Sequence, residues 1–226
     1  MIAVDDDKTM RYSSEPGKLS RAPRVYLVRH GETAWTLTGQ HTGRTDLPLT
    51  MHGEDEAREL AHWLRQIQFA HVFVSPRLRA RQTCELAGLG SASEVEPDLA
   101  EWDYGDYEGQ RSVDICSTRP GWEVWHDGCP GGEKAADVAF RIDRLITRLG
   151  KMHGNIAVFS HGQLCAGLAA RWIGFAIAEG RHFALRPASL SILGHESGHP
   201  DIRAIELWNA TAATLLADAR CSAGVA

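Results

Sequence analysis

The chain has 226 residues, a net charge of −5 at pH 7 and a pI near 6.1, with 43% hydrophobic and 23% charged residues. That is the size and composition of one globular α/β domain, or of one with a sizeable insertion. The acidic balance argues against a nucleic-acid partner, no run approaches the roughly 18–20 apolar residues of a membrane span, and five cysteines without a C-x-x-C pair argue for reduced thiols in a cytoplasmic protein rather than a disulfide framework or a zinc site.

Residues 1–23 hold Asp5-Asp6-Asp7, Ser13-Ser14 and Pro16-Gly17 but no apolar core of a secretion signal, and read as a disordered extension. Val25-Tyr26-Leu27-Val28 reads as a buried strand that ends in Arg29-His30-Gly31-Glu32-Thr33. A polar loop follows, Thr38 to Pro48. Thr50 then has the character of an N-cap, and Ala57, Leu60, Ala61, Leu64 and Ile67 recur at helical spacing. His71–Val74 is a second strand, stopped by Ser75-Pro76 and followed by a helix through Leu78, Cys84 and Leu86. Residues 101–132 lack periodicity and are aromatic, acidic and glycine-rich, the composition of a roof over the sheet edge. A helix from Glu133 to Leu149, a strand Ile156–Phe159, a helix Gln163–Ile173 and strands near Leu190–Leu193 and Arg203–Leu207 complete the pattern, with a loose tail at 211–226.

Three of these strands end in unusual polar groups: Arg29-His30-Gly31, Ser75-Pro76-Arg77 with Arg79 and Arg81 just beyond, and Ser160-His161-Gly162. In a parallel sheet such ends share one edge, so two histidines and two arginines are expected to converge on one cleft. The helix beginning after His161 adds backbone N–H donors. A cluster of cations calls for an anion, and a phosphoryl group matches the fork of arginine. A neutral imidazole is a competent nucleophile toward phosphorus, with arginines and a second histidine stabilising the transition state. Glu101 is the candidate acid, expected to be kept protonated by burial in the aromatic roof.

Taken in series, Arg29-His30-Gly31-Glu32-Thr33, Thr42-Gly43, Ser75-Pro76-Arg77, Glu101 and Ser160-His161-Gly162 resemble the histidine phosphatase superfamily, the phosphoglycerate mutase-like proteins, over about residues 24–210. The resemblance implies a three-layer α/β fold, with a mixed, mainly parallel sheet flanked by helices and a small cap at 101–132. It implies that Arg29, Arg77 and His161 bind phosphate, that His30 is phosphorylated, that Glu101 donates the proton, and that neither cofactor nor metal takes part. Thr36 stands where the family carries asparagine, so that phosphate contact is weakened or rearranged. Thr36, Thr42, Gly43, Arg44, Tyr104 and Gly162 are the expected substrate-binding residues. The segments Gly39–Thr50, Trp102–Gly109 and Trp125–Cys129 are similar to the fungal-type sedoheptulose-1,7-bisphosphatases, which points to small phosphorylated sugars, bisphosphates among them. The partners so implied are a small phosphorylated substrate and, at most, a second copy of the chain in a homodimer, with no nucleic acid and no membrane.

Two other functions stand beside this one. Phosphoglycerate mutase chemistry needs cations over a second phosphate, yet only 23 residues separate Gly109 from Glu133 and no Arg-Arg pair lies among them; Arg111, Arg119 and Lys134 remain as partial substitutes. A non-catalytic phospholigand-binding protein would have no need for His30, Arg77, Glu101 and His161 together. Cys165 and Arg171 have the C-x5-R spacing of cysteine phosphatases, but the apolar residues between them suit a buried helix face. No G-x-S-x-G, G-x-G-x-x-G or Walker sequence is present, and His195–His199 reads as a solvated hairpin rather than a metal clip. His41 and His126 are read as ordinary loop histidines.

Overall fold

The first apolar run forms β1 (Arg24–Arg29), whose interior residues Val25 to Val28 are all buried, the mark of a central strand covered on both faces. The computed structural model describes residues 22–212 and 214, so most of the expected extension (1–23) and tail (211–226), with Cys221, lies outside the described residues. Beyond β1 come α1 (Ala34–Thr38), α2 (Met51–Leu64), β2 (Phe69–Val74), α3 (Leu78–Leu86), β3 (Ser93–Val95), α4 (Ser112–Thr118), α5 (Val124–Asp127), α6 (Ala135–Leu149), β4 (Asn155–Ser160), α7 (Gly162–Trp172), β5 (Leu190–Glu196) and β6 (His199–Ala210). The described strands form one sheet in the order β3-β2-β4-β1-β5-β6. It is parallel from β3 to β1 and antiparallel at β5 and β6.

Side-chain alternation along the strands separates two cores. Val25, Leu27, Phe73, Ile156 and Val158 face α6 and α7, packing on Val138, Ile142, Leu145, Leu164 and Leu168. Tyr26, Val28, Val72, Val74 and Phe159 face α2 and α3, packing on Leu60, Leu64, Ala80 and Cys84. The roof adds no third core. Trp102, Tyr104, Ile115, Trp122 and Trp125 continue the α6–α7 core, so residues 101–132 are anchored by the same apolar surface as the sheet. The hairpin joining β5 to β6 turns at Ser197-Gly198, with Gly198 at φ +82° and Glu196 opposite His199.

Register decides where chemistry can occur. Arg29 of β1 lies beside Ser160 of β4, and Val74 of β2 beside Phe159. Just past the strands the ladder extends by one more bond on each side: His30 N–H donates to the Ser160 carbonyl (2.9 Å) and Ser75 N–H to the Phe159 carbonyl (2.9 Å). The strand end is also pressed onto the start of α2. A Cβ on Gly31 would lie 2.5 Å from the Gly53 carbonyl oxygen, and one on Gly53 would lie 2.3 Å from the Glu32 carbonyl oxygen. Two glycines let these backbones touch.

Candidate active site

His30 sits where β1 opens into the cleft and is 4% exposed. Its Nδ1 lies 2.8 Å from the Gly31 carbonyl, which can only accept, so Nδ1 carries the proton and Nε2 carries the lone pair. Burial, then the Arg79 and Arg29 cations, hold the His30 pKa well below the ordinary imidazole value. The ring is therefore neutral near pH 7, with a nucleophilic nitrogen available.

Arg29 turns toward the same cleft. Its Nη1 donates to the Leu185 carbonyl, while its Nε is buried without a partner among the described residues. Burial lowers its pKa, against the raising effect of the Glu101 carboxylate. The guanidinium packs against Gly162 at the start of α7, where a Cβ would lie 3.2 Å from Arg29 Cζ. A larger residue after His161 would push that guanidinium aside.

Behind His30 lies a second layer. The His161 ring, 5.2 Å from that of His30 between centroids, is fully buried. Arg79 Nε donates to His161 Nδ1 (3.2 Å), which leaves Nε2–H to donate to Ser75 Oγ (2.7 Å). Burial and the Arg79 cation, followed by His30, Arg77 and Arg141, push the His161 pKa well below its usual value. Arg79, also fully buried, reaches the carbonyls of Thr42 (2.7 Å), Gly43 (3.3 Å) and Thr45 (3.0 Å). It thereby ties the 42–45 loop to the second histidine.

The arginine bonded to His161 is thus Arg79, while Arg77, the arginine expected to bind phosphate, stands at the start of the same helix. Arg77 is the N-cap of α3; its Nη1 donates to the Arg44 carbonyl (3.3 Å) and its Nε is buried without a partner among the described residues. The buried place of Arg79 was readable in principle. Ala80, Thr83 and Cys84 form the buried face of α3, and one turn back from Thr83 is Arg79.

Glu101 is held at the start of α7. Its oxygens accept from the backbone N–H groups of Trp102 (3.0 Å), Gln163 (3.0 Å) and Leu164 (2.9 Å). Three backbone donors fix this buried side chain, and Glu101 thereby caps the first turn of α7. The flanking backbone is held by a pair the sequence did not reveal. Arg141 donates to Glu133 through Nε (2.8 Å) and Nη2 (3.0 Å) and, through Nη1, to the carbonyls of Asp98 (2.9 Å) and Ala100 (2.7 Å). Glu133 in turn accepts from Asp103 N–H (2.9 Å).

A cleft of about 290 Å³ opens in front of His30, and Arg77, Arg79 and His161 are not on its wall. Arg29, His30, Glu101, Gly162, Thr36, Thr42 and Tyr104 lie on its wall. Gly43 and Arg44 do not: Gly43 N–H and Thr45 N–H bind the Glu108 carboxylate (2.9–3.0 Å), and Arg44 pairs with Asp103 (2.7 Å). Thr36 reaches the wall, but its hydroxyl accepts from Thr33 N–H and donates to the Thr33 carbonyl, both at 2.8 Å, within a capping box that starts α1. His41 was read as an ordinary loop residue; it lines the cleft, stacks on Tyr104 (4.5 Å), and burial lowers its pKa to about 4. Cys165 is buried in the α7 core, where burial pushes its thiol pKa up, and Arg171 grips Asp143 through two bonds of 2.8 Å. A larger hollow, about 720 Å³, lies where the strands begin, and its Arg24 and Glu206 are paired with each other.

A buried neutral histidine near arginines at the end of a parallel strand, with Glu101 lining the same cleft, defines a phosphoryl-transfer site. The sequence profile of the histidine phosphatase superfamily (branch 1) matches residues 25–210, and the chain belongs to that family. It is similar to an acid phosphatase of Mycobacterium tuberculosis, 41% identical over 79% of this chain and 89% of that one. It is also similar to the sedoheptulose 1,7-bisphosphatase of Saccharomyces cerevisiae, 36% identical over 70% of each. Among solved structures, that of an open reading frame of Mycobacterium tuberculosis superposes with a TM-score of 0.78 at 37% identity, covering 84% of this chain and 98% of that one. The chain is a hydrolytic enzyme of the phosphoglycerate mutase-like fold. No described helix is long and apolar enough to cross a membrane.

Proposed function

We propose that the protein hydrolyses small phosphate monoesters, phosphorylated sugars foremost, through a phosphoryl group carried on His30 Nε2. The observation that carries this is His30 itself: buried, neutral, with Nδ1–H fixed on the Gly31 carbonyl and, in the same cleft, an Arg29 Nε without a partner among the described residues. In the first step the Nε2–P bond forms while the P–O bond to the alcohol breaks, with Arg29 drawing charge from the phosphoryl oxygens. Arg79 and His161 are the positioning layer, keeping cationic charge and fixed dipoles behind His30. Glu101 relays a proton to the leaving oxygen. A monoester brings such a proton with it below its second ionisation, near pH 6. As a carboxylate Glu101 then draws a proton from the water that cleaves the N–P bond, which returns His30 and releases phosphate.

The names of the acid phosphatase and the sedoheptulose bisphosphatase, the more similar relatives at 41% and 36% identity, support hydrolysis over the mutase name that relatives at 28–30% carry, and the roof supports it too. Arg111 is engaged by Asp114 (two bonds of 2.7 Å) and Arg119 by Asp127 (2.8 Å). Neither is left to retain a doubly phosphorylated intermediate. The unpaired thiols of Cys84, Cys116, Cys129 and Cys165 support a reducing, cytoplasmic setting. The test is acid-free quenching of the enzyme during turnover of an aryl phosphate. An acid-labile phosphoryl group on His30 is expected, and His30→Ala should lower kcat/KM at least about 10³-fold. Turnover that survived His30→Ala but was lost in Cys165→Ser would sink the mechanism.

A further inference from the structure

We propose that Asn209, at a bulge of β6, positions the guanidinium of Arg29, acting through the single peptide group that joins Leu185 to Arg186. This rests on the phosphatase reading above, in which Arg29 draws charge from the phosphoryl oxygens, and adds a positioning residue to it.

A peptide group is planar, so its N–H and C=O directions are fixed together. The Leu185 carbonyl accepts from Arg29 Nη1. The N–H of the same peptide, that of Arg186, donates to Asn209 Oδ1 at 2.7 Å. Any rotation of this plane that breaks one bond therefore moves the other. Two bonds in line through one peptide also polarise each other, so the Asn209 amide oxygen acts on the Arg29 cation from one peptide away.

The strand is deformed to bring this about. Leu190 of β5 lies opposite Ala210, but Ile192 lies opposite Leu207, so β6 carries one extra residue in this interval, and Asn209 takes φ +56°. Neighbouring side chains in a regular strand point to opposite faces. At the bulge both reach the same stretch: Trp208 Nε1 donates to the Ala184 carbonyl (3.0 Å), and Asn209 accepts from Arg186. Asn209 N–H is held in turn by Oγ of the buried Ser191 (3.0 Å). Bulges re-aim side chains in this way beside active sites. Farther along the segment, Ala188 N–H donates to the His30 carbonyl and the Ser189 carbonyl accepts from Arg29 N–H, both at 3.1 Å. Backbone and side chain of Arg29 are thus gripped by one short segment, and Asn209 braces it from behind.

The test is a double-mutant cycle on the hydrolysis of an aryl phosphate. Asn209→Gly keeps the left-handed backbone and removes the acceptor. It should lower kcat/KM about fivefold, the equivalent of one neutral hydrogen bond, and weaken inhibition by orthovanadate by a similar factor. Asn209→Asp, which keeps an acceptor and tolerates the same backbone, should restore most of that loss. In an Arg29→Ala background Asn209→Gly should cost nothing further, because the group it positions is gone. Trp208→Phe keeps a ring against Phe183 (5.3 Å between centroids in the wild type) but drops the N–H. Its smaller loss should depend on Arg29 in the same way, and it carries the test if Asn209→Gly does not fold. An equal fold-loss with and without Arg29, or an undiminished kcat/KM in Asn209→Gly, would overturn the positioning role. Full turnover by His30→Ala would overturn the phosphatase reading instead.

Discussion

A nucleophilic imidazole is useful only while neutral, and the residues around His30 secure that state by exclusion of water and by two nearby cations. At the same scale, Gly31 answers a packing demand rather than a chemical one. Gly31→Ala sets a methyl group 2.5 Å from the Gly53 carbonyl, and because that neighbour is backbone, the strand end itself must shift. The expected cost is about 2–3 kcal/mol, read as a lowered urea midpoint, with activity falling as His30 is displaced. That Arg29, His30 and Glu101 share one cleft was legible in the sequence because each follows a recognisable strand or motif. Seeing the buried role of Arg79 required the helix period to be carried back into the first turn of α3, where an arginine on the buried face looks implausible until its partners, His161 and three loop carbonyls, are known.

At the level of elements, long segments announced themselves and short ones did not. α2, α6 and α7 are 11–15 residues long, enough for a period to repeat. α1, α4, α5 and β3 have three to seven residues and are defined by caps and neighbours instead, as with the Thr33–Thr36 box. The joint between α6 and the Asp98–Asp103 segment was equally hidden, since it depends on a partly buried pair 8 residues apart clasping a backbone far away in sequence. Arg141→Ala should cost about 3 kcal/mol, because Glu133 is left unpaired and two carbonyls lose their donor. The drop in stability, read by denaturant titration, should come with a lower kcat as the backbone on both sides of Glu101 loosens.

For the molecule as a whole, the buried imidazoles set a pH dependence of stability. Above the ordinary histidine value of 6.5, His30 and His161 are neutral in both folded and unfolded chains and contribute no slope. Below it the unfolded chain takes up protons that the folded protein refuses, so stability falls as pH falls, by up to about 1.4 kcal/mol per pH unit for each ring. His41 adds to this from 6.5 down to about 4. Denaturation curves collected between pH 7.5 and 5 should show the decline, and His161→Gln should flatten it; a wild-type curve without slope would contradict the neutral assignment. The parallel strand order was only partly visible in the sequence, which gave the alternation of strands and helices but not the antiparallel pair closing one side of the sheet.

The capping of α7 by Glu101 has one more consequence. Its carboxylate is wired to the amides of Gln163 and Leu164 at 3.0 and 2.9 Å, so any proton it accepts during turnover is felt by two backbone nuclei that take no part in the chemistry. Those amides are built-in spectroscopic reporters: their proton shifts should move with the charge on Glu101, allowing the acid–base half of the cycle to be followed by NMR without a label on the substrate.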